Sequence, residues 1–96
     1  MSAYVVIIRD KTHDPTGMEK YASVARNAPI DKLEVIAAKT GKMQVLEGPA
    51  AEAVVILRFP SMADALEWYE SDAYQEALPY RKAAGEFRVF LSEGVG

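Results

Sequence analysis

Residues 54–69 read VVILRFPSMADALEWY and join a strand to the start of a helix. The aliphatic run has the length of a buried strand, and Pro60 ends it because proline has no backbone N–H to donate. Ser61 then offers an N-cap oxygen, and Asp64 follows three residues later, as in a shortened capping box. The segment therefore predicts a strand that passes directly into a helix, and the rest of the chain is interpreted around this unit.

The segments on either side predict three further strands and more helix. Asp14 and Pro15 are suited to the N-cap and the first position of a helix. This helix should end at about residue 28, because Pro29 disfavours the helical conformation in the residue before it. Ser71 restarts the helical pattern later, and Pro79 predicts a kink or a new start within it. The predicted strands are residues 3–9, 33–39, 52–59 and 86–92, and the predicted helices are about residues 15–28, 61–70 and 71–84, with Gly85 closing the last.

Residues 33–39 also have the composition of a helix. We assign them to a strand because they are few, contain Val35-Ile36 and precede a turn at residues 40–42. A second short extended piece is expected at residues 43–46. The resulting order, β-α-β-β-α-β over one domain of residues 1–96, predicts an α+β fold of the ferredoxin-like type, with an antiparallel sheet and the helices on one face.

The strands at 3–9 and 52–59 carry apolar residues on both faces. A sheet with one face in water normally alternates apolar and polar residues, and no helix remains to cover the second face. A patch of this kind is rare on a monomer, and burying it is worth several kcal/mol at roughly 25 cal/mol per Å². We therefore expect a homodimer packed through the helix-free sheet face. A monomer with an open apolar ligand face is the alternative.

Composition limits the classes of function. The chain has 96 residues, a net charge of -3, one histidine and no cysteine. Disulfides, thiolate metal sites and a cysteine nucleophile are thereby excluded, and a metal site is not expected. We see no basic stripe for nucleic acid, no membrane-length apolar run, no signal peptide and no phosphate loop or dinucleotide motif. We expect a cytoplasmic protein without a cofactor.

Several motifs resemble a known family, the domain-of-unknown-function 1330 family. They are Glu47-Gly48, Phe59-Pro60-Ser61, Trp68-Tyr69-x-Ser71-x-x-Tyr74-Gln75, Arg81 and Glu93-Gly94. The resemblance covers nearly the whole chain, and residues 59–75 are its most specific part. It implies membership of the dimeric α/β barrel superfamily, whose members include small cofactor-free enzymes, and hence a ferredoxin-like protomer in a barrel-shaped homodimer. It implies no particular reaction.

Three charged residues are candidates for a site. His13, the only histidine, precedes a helix N-terminus that would favour its neutral form, so it is a candidate base; a solvated loop histidine is the alternative. Arg58 ends an apolar strand, and Arg81 lies on an apolar helix stripe. A guanidinium directed at a core needs an acid or an anionic ligand, so each arginine is either ion-paired within the chain or binds an anion. Glu47, Asp64 and Glu93 are the acids considered as partners.

Four aromatic residues complete the candidate site: Tyr21, Trp68, Tyr69 and Tyr74. Aromatic residues on a helix stripe are usually core, but they also form the walls of ligand pockets. Two hypotheses follow. The first is a dimer that binds a small anionic or aromatic molecule in a pocket between the second helix and the sheet, with or without catalysis. The second is a non-catalytic dimeric interaction module without a cavity of ligand size.

Overall fold

The structure, a computed structural model, describes residues 1–38 and 41–95. The elements are β1 (Ala3–Thr12), α1 (Pro15–Ala25), β2 (Glu34–Ala37), β3 (Ala53–Phe59), α2 (Met62–Tyr69), α3 (Asp72–Ala84) and β4 (Gly85–Glu93). The predicted β-α-β-β-α-β order and the α+β class are confirmed, with the second helical region divided into α2 and α3. None of the described helices is long and apolar enough to cross a membrane.

The four strands form one antiparallel sheet in the order β2-β3-β1-β4. β1 is an interior strand, and its residues 3–9 have a partner on both sides: Val6 pairs with Ile56 of β3 and with Phe90 of β4. Consecutive strand residues point to opposite faces of a sheet. The register therefore places alternate residues of paired strands on the same face of the sheet. One set of side chains faces the core, and the other set faces the opposite surface.

The helices cover one face of this sheet. Val5, Leu57 and Phe59 point towards them and are buried together with Trp68 and Tyr74. Ring centroids of Phe59 and Trp68 lie 5.6 Å apart, and those of Trp68 and Tyr74 lie 4.3 Å apart. An aromatic cluster from β3, α2 and α3 is thus the centre of the core.

The opposite face carries no helix and is apolar at its centre. We call it the helix-free face and define it by Val6, Ile8, Val54, Ile56 and Phe90, which the register places side by side. Phe90 is 50% exposed, and the other four are partly exposed. The predicted lack of polar alternation in β1 and β3 therefore corresponds to a real apolar surface.

The break in the second helical region lies at Ser71, as predicted, whereas the alternative of a new start at Pro79 is wrong, because α3 continues through it. The Ser71 hydroxyl donates to Trp68 O (2.7 Å) and accepts from Tyr74 N (3.3 Å), so it ends α2 and caps α3. Pro79 has no backbone N–H to donate to the carbonyl oxygen of Gln75. Both residues are exposed, so a water molecule can donate to this oxygen instead. Ser61 caps α2 in the same way, with Asp64 N donating at 3.1 Å.

Residues 43–46 form no strand; they belong to an exposed irregular segment in which Leu46 is 85% exposed. The predicted strand end at Lys39 and the turn residue Thr40 lie outside the described residues. A groove runs between residues 43–49 and the part of the helix-free face formed by Ile8 and Val54. This segment therefore follows the edge of the apolar surface instead of extending the sheet.

Helix α3 passes directly into β4 at Gly85. A Cβ at this position would collide with the carbonyl oxygen of Lys11, so the close approach of the two strands requires glycine. The junction places Arg81, in the last turn of α3, next to Phe87 of β4, with the guanidinium carbon 5.4 Å from the ring centroid.

Candidate functional site

A cavity of about 310 Å³ lies between the helices and the covered face of the sheet. Its walls are mostly apolar and are formed by residues of all three described helices and all four described strands. Val35 and Ala38 are its exposed lining residues, so the cavity opens beside β2. The lining side chains with polar atoms are Arg9, Tyr21, Trp68, Tyr74 and Arg81.

Arg81 lies in this cavity and is 4% exposed. Its Nη1 donates to the hydroxyl of Tyr74 at 3.1 Å, and its guanidinium carbon lies 5.9 Å from the ring centroid of Tyr21. Within residues 1–38 and 41–95, no carboxylate lies within ion-pair distance of it, and its Nε is buried without a hydrogen-bond partner. A buried positive charge without a counter-ion is uncommon, because proteins normally pair buried charges.

The two tyrosines extend the polar group around Arg81. The hydroxyls of Tyr21 and Tyr74 lie 2.8 Å apart, and their rings meet edge to face. Tyr74 is fully buried, and this burial raises the pKa of its phenol well above the usual range, with Tyr21 adding to the shift. Tyr74 therefore stays a neutral phenol at ordinary pH.

Arg9 is the second cation of the cavity. Its Nε lies 3.1 Å from Oε1 of Glu52, but the N–H is not aligned with that oxygen and is buried without a hydrogen-bond partner. Glu52 also accepts a hydrogen bond from the hydroxyl of Thr12 at 2.8 Å. That bond, together with Arg9, holds the pKa of the Glu52 carboxyl below its usual range, so it stays ionised beside Arg9.

The structure brings together four of the six predicted ligand-binding residues: Tyr21, Trp68, Tyr74 and Arg81. Tyr69 does not line the cavity but packs against Tyr74, with ring centroids 5.3 Å apart. Arg58 is exposed near the end of β3, on the same side of the sheet as Ile56, where it donates to the Ser2 hydroxyl and lies 3.5 Å from Glu34.

His13 also lies outside the cavity. It is exposed, and its Nε2 lies 2.9 Å from a carboxylate oxygen of Glu86. Asp64, one of the acids considered as a partner for the arginines, instead pairs with Lys32 at 3.0 Å. No group of three or more ligand side chains in the described part of the chain could hold a metal ion.

The model of a protein family described as Domain of unknown function (DUF1330) matches residues 2–95. The chain belongs to the DUF1330 family. This confirms the resemblance seen in the sequence motifs. Comparison with curated proteins gave no match.

Solved structures similar to this DUF1330 protein share its fold. A protein of unknown function from Rhodopseudomonas palustris has a TM-score of 0.68 and 23% identity, over 99% of this chain and 83% of that one. A dimeric ferredoxin-like protein of unknown function from Thermobifida fusca has a TM-score of 0.61 and 10% identity, over 95% and 89%. SnoaB, a cofactor-independent oxygenase from Streptomyces nogalater, has a TM-score of 0.56 and 8% identity, over 99% and 93%.

Arg9 and Phe87 are among the lining residues that sequence reasoning missed. Arg9 has the same parity as Val5 and Ile7 in β1, so strand alternation already placed it on the covered face. Phe87 is its cross-strand partner in β4. The predicted end of the first strand at residue 9 made Arg9 resemble a terminal residue, whereas β1 continues to Thr12.

Chemically, the cavity of this DUF1330 protein combines an apolar chamber with a compact polar end. Arg81 and the two tyrosine hydroxyls can bind an oxygen anion, while Trp68 and Phe87 offer flat apolar surface. Sites for small molecules typically have mostly apolar walls and a few polar groups that fix the orientation of the ligand.

Proposed function

We propose that this DUF1330 protein is a homodimeric binding protein for a small organic anion, which occupies the cavity beside Arg81. The observation that carries the proposal is the burial of Arg81 without a carboxylate among the described residues. Its unsatisfied Nε–H, and the one O–H that the hydrogen bond between the two tyrosines leaves free, would donate to an anionic oxygen of the ligand.

The cavity itself supports binding over the alternative of an interaction module without a pocket. That alternative expects no space of ligand size between the helices and the sheet, whereas about 310 Å³ lies there. Ligand pockets begin at about this volume. The apolar walls favour a ligand with a hydrocarbon or aromatic body behind its anionic group.

The helix-free face supports the homodimer. Its residues form a continuous apolar surface that none of the described helices covers: Val6, Ile8, Val54, Ile56 and Phe90. Burying such a surface against a second copy is favourable at roughly 25 cal/mol per Å². The Thermobifida fusca protein with the same fold is described as dimeric, which agrees with this arrangement.

A cofactor-free reaction is the catalytic form of this proposal. The hydrogen-bonded group of Arg81, Tyr74 and Tyr21 favours it, because aligned donors stabilise negative charge that develops on a substrate oxygen. His13, the base expected from the sequence, would have to act from outside the cavity. For any substrate found, Tyr21→Phe should lower turnover more than His13→Gln; the reverse order would restore His13 as the base.

Titration with small carboxylates, followed by ligand-observed NMR, tests the binding proposal. Phenylacetate is a suitable compound; at roughly 0.3 kcal/mol or more per non-hydrogen atom, its Kd should be about millimolar or tighter. Arg81→Met should abolish binding. Arg58→Met is the matched control and should retain it, since Arg58 lies outside the cavity. Absence of saturable binding by any tested acid, or equal binding by both variants, would contradict the proposal.

A further inference from the structure

We propose that Arg9 is a second anion-binding residue of the cavity and that the ligand is a monocarboxylic acid whose carboxylate lies between Arg9 and Arg81. This inference rests on the proposed function and goes beyond it, because it adds a residue and specifies the anionic group. It starts from two buried donors: the Nε–H of Arg81 has no partner in the described chain, and Nε of Arg9 lies 3.1 Å from Oε1 of Glu52 without being aligned for a hydrogen bond.

Both arginines are neighbours of Phe87, which also lines the cavity. Arg9 is the cross-strand partner of Phe87, and the guanidinium carbon of Arg81 lies 5.4 Å from the centroid of the Phe87 ring. Both side chains line the cavity. A carboxylate has two oxygens, so one can accept from each guanidinium, which satisfies both donors with a single group.

The local charge favours a monoanion. Arg9 and Arg81 contribute two positive charges, and Glu52, 3.1 Å from Arg9, returns one negative charge. One positive charge remains, and no carboxylate lines the cavity in the described part of the chain. A carboxylate neutralises this charge, whereas a phosphate or phosphonate dianion would be opposed by the nearby Glu52.

The remaining walls select the body of the acid. Beyond the arginines, the lining is formed by aliphatic side chains and by the rings of Trp68, Tyr21 and Phe87. The volume equals that of about ten water molecules at roughly 30 Å³ each, which suits one ring with a short side chain. An aromatic or branched aliphatic monocarboxylate therefore fits better than a sugar acid or a long fatty acid.

Isothermal titration calorimetry with phenylacetate, phenylacetamide and phenylphosphonate tests this inference on the intact protein. The wild type should bind phenylacetate at least about ten-fold more tightly than either of the other two. Arg9→Gln should weaken phenylacetate binding by about ten-fold or more and leave phenylacetamide unchanged. Arg9→Lys should recover part of the loss because it restores the charge. Arg26→Gln, which alters an exposed arginine after α1, is the control and should bind like the wild type.

The outcomes separate this inference from the proposed function. If Arg81→Met abolishes phenylacetate binding but Arg9→Gln does not weaken it, the binding function stands and the role of Arg9 is refuted. If phenylphosphonate binds more tightly than phenylacetate, the assignment to monocarboxylates is refuted. If phenylacetate and the other acids give no saturable binding to the wild type, both proposals fail. Circular dichroism of each variant shows whether a loss of binding reflects unfolding.

Discussion

Arg81→Met should make the ligand-free protein more stable while removing its ability to bind an acid. A residue that maintains the fold cannot behave in this way, because its replacement lowers stability. Arg81 is 4% exposed and has no carboxylate partner in the described chain, so the folded protein retains a desolvated charge. Methionine is unbranched and extends as far as the Nε position of arginine, so it can replace the buried stem without that charge.

The magnitude follows from the contacts of Arg81. Desolvating a guanidinium costs several kcal/mol. The hydrogen bond to Tyr74 returns about 1.5–3 kcal/mol, and the contacts with the rings of Tyr21 and Phe87 return about 0.5–1 kcal/mol each. The buried methylenes of Arg81 and the hydrocarbon of methionine contribute similar amounts, so the change depends on how far these contacts fall short of the desolvation cost. We expect the free energy of unfolding to rise by about 1 kcal/mol.

Denaturant unfolding at one fixed protein concentration measures this change, since the stability of a dimer depends on concentration. For a chain of this size, thermal unfolding should shift upwards by roughly 4 °C or more. Arg26→Met, at an exposed site, is the control and should change stability by less than about 0.5 kcal/mol. A loss of more than about 1 kcal/mol in Arg81→Met would show that the charge stabilises the fold, and the reasoning about a ligand-binding arginine would be refuted.

Three further predictions concern the surface, the buried hydroxyl and the acid limb of stability. The wild type should sediment as a dimer and Phe90→Asp as a 10.6 kDa monomer. Leu66→Asp, at an exposed site on α2, is the control and should remain a dimer. If both variants remain dimers, the helix-free face is not the interface. Tyr74→Phe should cost about 1–2 kcal/mol in denaturant unfolding, and Tyr80→Phe close to nothing; equal costs would show that the buried hydroxyl is not important. The hydrogen bond from Lys32 lowers the pKa of Asp64 in the folded state. The ionised carboxylate therefore stabilises the fold above the usual carboxyl pKa, and this stabilisation is lost as pH falls from about 4. Asp64→Asn should reduce the loss of stability in acid, and an unchanged dependence of stability on pH would contradict the role of Asp64.

Much of the fold could be predicted from the sequence because local signals and strand periodicity agreed. Ser61 and Ser71 both cap helices as predicted, and the apolar pattern of β1 and β3 gave the correct pair of faces. The extended piece at residues 43–46 contained Val45 and Leu46, which favour strands, but the segment finds no partner strand in the described sheet. Pairing of this kind depends on tertiary contacts that composition does not encode.

The candidate site was only partly predictable. Helical spacing identified Arg81 and Tyr74, because both lie on one apolar stripe of α3. Strand alternation placed Arg58 on the face of Val54 and Ile56, but it could not show that Arg58 is exposed beside Glu34. Nor could it show that Arg9 and Arg81 both lie beside Phe87, because that depends on the pairing register of β1 with β4.

The most direct test of the central claim is a crystal structure of the protein grown with phenylacetate. We predict a carboxylate in the cavity, with one oxygen within hydrogen-bond distance of Nε of Arg81 and the ring against Trp68. A cavity without the acid, in which Arg81 instead pairs with a carboxylate of its own chain, would contradict the claim.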